Sequence, residues 1–191
     1  MDVASTLRQD RIVHSYLFLR RAIGLIGTLL PFVLVIGVYV ESGRILSSIS
    51  GYYYSDMRDV YVGAMCAVGV FLIFYHGMDR TDDMFSYLAG AAAIGVALFP
   101  TRPADNPTEA DIIVGYVHLA CAGVFFLTLA LFCLWLFRRS TTPSTTRQRQ
   151  RHQLYTASGV IILLCLAGAV VFGLLLEAET RDLRPVLWLE S

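Results

Sequence analysis

The sequence predicts an all-α fold: a polytopic transmembrane helical bundle with five complete spans, followed by a segment that is either the truncated start of a sixth span or lies flat on the membrane surface. Of the 191 residues, 56% are hydrophobic and 16% are charged, whereas soluble domains carry about 25% charged residues. The charges form short clusters between long apolar runs, as expected when lipid replaces water around a helix. No interval between the runs is long enough for a soluble domain, so we predict a single transmembrane helical domain over residues 1–191.

The apolar runs place the five spans at about residues 22–40, 59–76, 84–100, 112–137 and 155–177. A helix of about 20 residues crosses the hydrocarbon core, which makes the third run marginal. That run is rich in small residues, which let helix backbones approach closely, so we expect its neighbours to bury it. The small residues on one face at four-residue spacing are Ala89, Ala93 and Ala97, and further small positions are Gly90, Ala91 and Gly95.

The two ends of the chain carry their own signals. No small-residue cleavage site follows the first run, so we expect it to be a signal anchor that stays in the membrane, with a slight bend at Pro31. After the fifth run, Pro185 and Trp188 resemble the interfacial start of another helix. We expect either a sixth span to open there or this end to lie flat on the membrane surface.

The distribution of arginine predicts the orientation of the chain. All fifteen basic residues are arginine, and cytoplasmic loops carry an excess of basic residues. With a cytoplasmic N-terminus, ten arginines fall inside and five outside, the outer ones being Arg44, Arg58, Arg102, Arg181 and Arg184. We therefore predict a multi-pass membrane protein with its N-terminus on the cytoplasmic side.

Several classes of function are disfavoured by the sequence. It has no GxSxG, HExxH, Walker A or GxGxxG motif, which are the usual signatures of soluble enzymes. No basic stripe with interleaved aromatic residues is present, so nucleic acid is not an expected partner. The four cysteines lie inside apolar runs without a CxxC pair, and we interpret them as small hydrophobic core residues.

Polar residues concentrate in the first predicted outer loop and at the outer ends of the later spans. We predict a ligand-binding set, called the outer cluster, that consists of Ser50, Tyr53, Tyr54, Arg58, Asp59, His118 and Glu177. Three adjacent tyrosines cannot share one helix face, so at least one of them must point away from lipid. The alternative interpretation is structural: tyrosines form a belt at membrane interfaces, and a carboxylate in a first turn is stabilised by the helix dipole.

His118 and Glu177 lie at similar depths in the fourth and fifth spans, which allows them to converge beneath the outer loop. Histidine is a common metal ligand and general base, so His118, Asp59 and Glu177 are the candidate catalytic residues. The competing interpretation of His118 is a hydrogen-bonded histidine between helices. We predict no metal and no other cofactor, because one histidine with scattered carboxylates is a weak metal pattern.

A second polar group lies in the predicted inner loop between the second and third spans. It contains His76, Asp79, Arg80, Asp82 and Asp83. These side chains would simply be hydrated there, and Asp82 and Asp83 suit the first turn of the third helix. We therefore favour a hydrated loop over a metal site.

Three stretches resemble an uncharacterised family of small bacterial membrane proteins. They are residues 48–63 (SISGYYYSDMRDVYVG), 69–72 (GVFL) and 93–101 (AIGVALFPT). The resemblance runs from about Arg20 to the C-terminus, and His118 with the segment 125–130 fits it. It implies a bundle of about six spans in the bacterial cytoplasmic (inner) membrane and no established activity. A more distant resemblance is to membrane hydrolases such as alkaline ceramidases, for which Ser50, Asp59 and His118 are counterparts, although the paired histidines four residues apart are missing.

These observations favour a non-enzymatic small membrane protein that binds a lipid or a partner membrane subunit through the outer cluster. The partners expected are membrane lipids, a partner membrane protein or further copies of the chain. The alternative is a membrane-embedded, metal-dependent lipid hydrolase that uses His118 with nearby carboxylates. A transporter or channel is disfavoured, because apolar helix centres separate the inner and outer polar groups.

Overall fold

The fold consists of helices joined by short connections, and it is described from a computed structural model. The structure describes residues 3–75, 80–103, 105–136 and 145–187, with side chains from residue 18 to 171 and at 173 within those ranges. In chain order the elements are α1 (Val3–Ser42), a 3-10 helix (Ser50–Tyr54), α2 (Arg58–Ile73), α3 (Arg80–Leu98), α4 (Glu109–Leu131) with a π-helical extension (Phe132–Leu136), and α5 (Thr146–Leu187). Every regular element in these residues is helical, which confirms the predicted all-α class.

Three of these helices are long and apolar enough to cross a membrane. The segments are Phe18–Ser42 in α1, Glu109–Leu136 in α4 and its extension, and Thr146–Val171 in α5, with mean hydropathies of 2.4, 2.4 and 2.3. Only 17%, 22% and 6% of their most apolar windows are buried against the rest of the chain. Large apolar side chains exposed in such numbers are typical of surfaces covered by lipid or protein. The chain is therefore a membrane protein with transmembrane helices.

The remaining two predicted spans, α2 and α3, are helices but are not among those three. The 16 residues of α2 rise about 24 Å, which is less than the hydrocarbon thickness of about 30 Å. Helix α3 begins with charged residues, and Asp82 and Asp83 lie in its first turn as predicted. At the other end of the chain, α5 continues through Pro185 to Leu187 as one helix, and no separate helix starts at the proline within the described residues.

The chain divides into two compact units, Met1–Phe125 and Phe126–Ser191, with the division inside α4. The first unit has a small core in which side chains of α1 meet those of the 3-10 helix, α2 and α3. The buried residues of this core are Leu30, Leu34, Val38, Tyr52, Tyr61 and Val96. Aliphatic residues of α1 thus pack against Tyr52 and Tyr61, and this packing fixes the loop that carries Ser50, Tyr53 and Tyr54 of the outer cluster.

Small residues determine how closely the helices of the first unit pack. Ala89, Ala93 and Ala97 have no exposed surface, which confirms the predicted buried face of α3, whereas Ala91 is exposed. The crossing of α2 and α3 is closer still. A Cβ atom built on Gly69 would lie 2.7 Å from the carbonyl oxygen of Gly90, and one built on Gly90 would lie 2.5 Å from the carbonyl oxygen of Gly69. The two backbones therefore touch where both residues lack a side chain.

The second unit pairs the π-helical extension of α4 with α5. A Cβ atom on Gly159 would lie 2.6 Å from Cγ of Leu134. Helix α5 therefore packs closely against the π-helical extension at a glycine. Apolar side chains elsewhere along α5 are exposed, including Leu154, Ile161 and Leu164. Between Leu154 and Val171 this helix therefore presents exposed apolar residues that are compatible with lipid.

Helices α4 and α5 begin at reciprocal side-chain caps. Thr108 donates its backbone N–H (2.9 Å) and its hydroxyl (2.7 Å) to Oδ2 of Asp111, whose own N–H donates to Oγ1 of Thr108 at 3.2 Å. Thr145 and Gln148 form the equivalent pair before α5, at 3.2 and 3.3 Å. Each pair satisfies N–H groups that the first turn would otherwise leave unbonded.

Candidate functional site

Hydrogen bonds within the loop between α1 and α2 fix its conformation. Gly43, at φ 66°, donates its N–H to the carbonyl of Tyr39 and ends α1, a backbone conformation that suits glycine because it has no Cβ. Ser48 accepts the N–H of Gly51 at 3.1 Å through its hydroxyl, which starts the 3-10 helix. The first site residue, Ser50, opens that helix.

The three adjacent tyrosines point in different directions. Tyr52 is only 1% exposed and joins the core, while Tyr53 is half-buried and Tyr54 is exposed. The hydroxyl of Tyr52 accepts the N–H of Leu46 at 3.4 Å. The prediction that at least one tyrosine points away from lipid is confirmed, and the buried one anchors the loop that positions Ser50.

Ser50 and His118 meet although 68 positions separate them in the sequence. The Nε2 atom of His118 lies 3.0 Å from Oγ of Ser50, and its Nδ1 atom lies 2.7 Å from the carbonyl oxygen of Phe99. Since a carbonyl can only accept, Nδ1 carries the proton and donates it to Phe99. In the neutral ring Nε2 is then an acceptor, and the Ser50 hydroxyl donates to it.

The carbonyl of Phe99 is available because α3 has just ended. In a continuing helix it would accept the N–H of residue 103, but that residue is Pro103, which has no N–H. His118, which is 5% exposed and about two and a half turns into α4, satisfies this carbonyl instead. The interpretation of His118 as a hydrogen-bonded histidine between helices agrees with this geometry.

Tyr61 of α2 completes the buried half of the site. The residue is only 2% exposed, and its phenol lies beside Ser50. The Ser50 hydroxyl therefore lies next to a phenol while it donates to an imidazole. Neither Tyr61 nor the Phe99 carbonyl was among the predicted site residues, although Pro103, four residues after Phe99, is the sequence signal that this carbonyl lacks its helical partner.

The exposed half of the site is a patch of Tyr53, Tyr54 and Arg58, called the tyrosine–arginine patch. The guanidinium of Arg58 donates to the hydroxyl of Tyr53 at 2.6 Å and lies 4.3 Å from the centre of its ring. The Tyr53 and Tyr54 rings meet edge to face with centroids 5.4 Å apart. The hydroxyl of Tyr54 donates to the carbonyl of Thr101 at 2.6 Å, which ties the loop to the α3–α4 connection.

The structure assembles part of the predicted outer cluster. Ser50 and His118 are in direct contact, and Tyr53 and Arg58 are in direct contact. Asp59 is exposed in the first turn of α2, where the helix dipole accounts for it. Glu177 belongs to α5 in the other unit, and its side chain lies outside the described residues.

The histidines and carboxylates considered as metal ligands do not form a cluster in the part of the chain that the structure describes. Among the described residues, no three His, Cys, Asp or Glu side chains come together in a way that could hold a metal ion. Both ring nitrogens of His118 are already hydrogen-bonded. Two members of the inner polar group, His76 and Asp79, lie outside the described residues.

Comparison with known proteins adds no relative: no family model, no curated protein and no solved structure matches this chain.

Proposed function

We propose that this chain is a multi-pass protein of the bacterial cytoplasmic membrane, with its N-terminus inside and with α2 and α3 completing five spans. The contacts within the first unit support helices that alternate in direction. Ser50 follows the C-terminal end of α1, Phe99 follows the C-terminal end of α3, and His118 lies in the N-terminal half of α4, yet all three meet. The resemblance to small bacterial membrane proteins favours the same arrangement.

The proposed function is binding: a lipid or a partner membrane subunit docks on the outer cluster. The observation that carries this proposal is the tyrosine–arginine patch. Arg58 is exposed but held by the hydroxyl of Tyr53 at 2.6 Å, so its remaining N–H groups are oriented before any ligand arrives. Guanidinium groups recognise phosphate and carboxylate through paired hydrogen bonds, and tyrosine is favoured beside headgroups because its ring is apolar and its tip polar.

The apolar helices beside the patch favour a lipid as the ligand. A lipid can place its chains along the exposed faces of α1 while its charged headgroup reaches Arg58. A partner membrane subunit would cover the same faces with side chains. The metal-dependent hydrolase alternative is less well supported, because His118 would have to give up one of its two hydrogen bonds to ligate an ion.

Native mass spectrometry of the gently solubilised full chain tests the proposal. We expect one anionic phospholipid or one partner protein per chain to be retained in the wild type. Arg58→Gln should weaken binding of phosphatidylglycerol about ten- to hundredfold, since a hydrogen bond to a charged group contributes about 1.5–3 kcal/mol. Arg44→Gln is the matched control, because Arg44 is an exposed arginine at the other end of the loop between α1 and α2.

Retention of a lipid by the wild type and by Arg44→Gln, with loss in Arg58→Gln, would support lipid binding. A copurified membrane protein that depends on Arg58 would support the partner alternative. A chain that retains neither, or equal retention in both variants, would contradict the proposal.

A further inference from the structure

We propose that Ser50 is a nucleophile and His118 its general base, so that this end of the protein can cleave acyl esters without a metal ion. The proposal starts from two distances: Ser50 Oγ to His118 Nε2 at 3.0 Å, and His118 Nδ1 to the Phe99 carbonyl at 2.7 Å. A nucleophile bonded to a base that a third group orients is the general arrangement of hydroxyl-based acyl transfer. The chemistry goes beyond the binding proposed above.

The Phe99 carbonyl holds His118 in the tautomer that this chemistry requires. Because Nδ1–H donates to a main-chain oxygen, the lone pair of Nε2 faces the Ser50 hydroxyl. In serine hydrolases a carboxylate makes the equivalent bond and fixes both tautomer and ring orientation. Here a carbonyl freed by the end of α3 takes that place, and the near-complete burial of His118 keeps the ring in one position.

Tyr61 places a buried phenol beside the nucleophile. When an ester carbonyl approaches Ser50, negative charge develops on the carbonyl oxygen next to the serine. A phenol O–H turned to this oxygen, in a site sheltered from water, would stabilise that charge more in the transition state than in the ground state.

The surroundings define the class of substrate. Ser50 and Tyr53 are three residues apart in a 3-10 helix of three residues per turn, so they share a face. Arg58, bonded to Tyr53, therefore lies at the same face of the 3-10 helix as Ser50. An acyl ester of an anionic amphiphile fits this face, with its carbonyl at Ser50 and its charged group at Arg58. Only the choice of an anionic headgroup rests on the proposed binding function.

The reaction balances with water as the only other reactant. The Ser50 hydroxyl proton passes to His118 Nε2 while Oγ bonds to the ester carbonyl carbon. The carbon–oxygen bond to the alcohol then breaks, and the leaving oxygen takes the proton from His118. Water repeats the sequence, releases the carboxylic acid and restores the serine hydroxyl.

A fluorophosphonate probe on the purified full chain in detergent tests this inference. Ser50 Oγ should bond to phosphorus with departure of fluoride, giving one adduct per chain that peptide mapping assigns to Ser50. Ser50→Ala should lose the adduct. His118→Gln should slow labelling about 100-fold or more, which is the lower range of general-base contributions.

Ser47→Ala is the matched control, since this exposed serine lies in the same loop and outside the 3-10 helix that carries Ser50. It should label at the wild-type rate. A folded wild-type chain that stays unlabelled, or a folded His118→Gln variant that labels at the wild-type rate, would overturn the inference. If His118→Gln does not fold, heat-unfolded wild type replaces it, and labelling of Ser50 that survives unfolding would overturn the inference.

The outcome is separable from that of the binding proposal. The probe has no anionic headgroup, so its reaction with Ser50 does not require lipid binding at Arg58. Labelling of Ser50 in a chain that retains no lipid would support the serine chemistry and contradict the binding function. A retained lipid with an unreactive Ser50 would support the binding function and contradict the serine chemistry.

Discussion

The crossing of α2 and α3 at Gly69 and Gly90 gives the sharpest test of the helix packing. In Gly69→Ala the new Cβ atom would lie 2.7 Å from the Gly90 carbonyl oxygen. That oxygen would have to retreat by about 0.7 Å to reach the 3.4 Å of ordinary contact. It belongs to the backbone of a neighbouring helix, so the whole of α3 must shift rather than one flexible side chain.

The expected change in the free energy of unfolding follows from two opposing effects. Alanine is favoured over glycine inside a helix by about 1 kcal/mol, whereas overpacking a well-packed site costs about 1–3 kcal/mol. Gly63 lies in the same helix and has no atom within 4 Å of the position of its missing Cβ. Gly63→Ala therefore gains the helix preference without a clash. We expect Gly69→Ala to be less stable than Gly63→Ala by about 1–3 kcal/mol.

Reversible unfolding in mixed detergent micelles, followed by far-ultraviolet circular dichroism, measures this difference in the free energy of unfolding. The comparison between two alanine variants of one helix cancels the change in helix preference. Gly90→Ala should behave like Gly69→Ala, because each Cβ meets the carbonyl of the other glycine. Equal stability of Gly63→Ala and Gly69→Ala would show that the two backbones do not touch and would refute the packing argument.

Three further predictions concern the ends of the helices. Thr108→Ala should lower the free energy of unfolding by about 1 kcal/mol, the usual cost of losing an N-cap, and a loss no larger than that of an exposed Thr→Ala control would contradict the cap. Tyr54→Phe should cost about 0.5–1.5 kcal/mol through loss of the bond to the Thr101 carbonyl; unchanged stability would exclude a role for that bond. Partial desolvation, and then the negative charge of Asp111, raise the pKa of Tyr54 above its usual 10.0. The folded state therefore holds this proton more tightly than the unfolded state, so the contribution of Tyr54 to stability is complete below pH 10.0 and is lost as the pH rises through the raised pKa. A difference absorbance titration of wild type against Tyr54→Phe measures the pKa of Tyr54. Deprotonation at or below the ordinary tyrosine range would contradict the raised pKa.

The sequence was sufficient for the features that depend on local composition. Long apolar runs require backbone hydrogen bonds within one segment, which predicted helices for α1, α4 and α5. Small residues at four-residue spacing predicted the buried face of α3 at Ala89, Ala93 and Ala97. Each of these predictions needs only the periodicity of a helix and the chemistry of single side chains.

The lengths of the helices were less predictable. The predicted third span, residues 84–100, is preceded by charged residues that the helix includes, so α3 begins at Arg80. Helix α1 begins well before its apolar run, at Val3, and α5 runs from Thr146 to Leu187 on both sides of its apolar run. Hydropathy indicates which part of a helix contacts lipid, whereas capping residues and helix-breaking residues determine where the helix begins and ends.

Composition and hydropathy by themselves determined that this chain is helical and belongs in a membrane. Only the tertiary structure decided which polar groups meet. It joined Ser50 to His118 across 68 positions, brought Tyr61 beside Ser50, and left Asp59 exposed in the first turn of α2. The physical reason is that the helical period predicts which residues share a face. What that face packs against depends on how each helix is rotated and packed against its neighbours. Those rotations are set by contacts such as the meeting of Gly69 and Gly90, which involve residues distant in the chain.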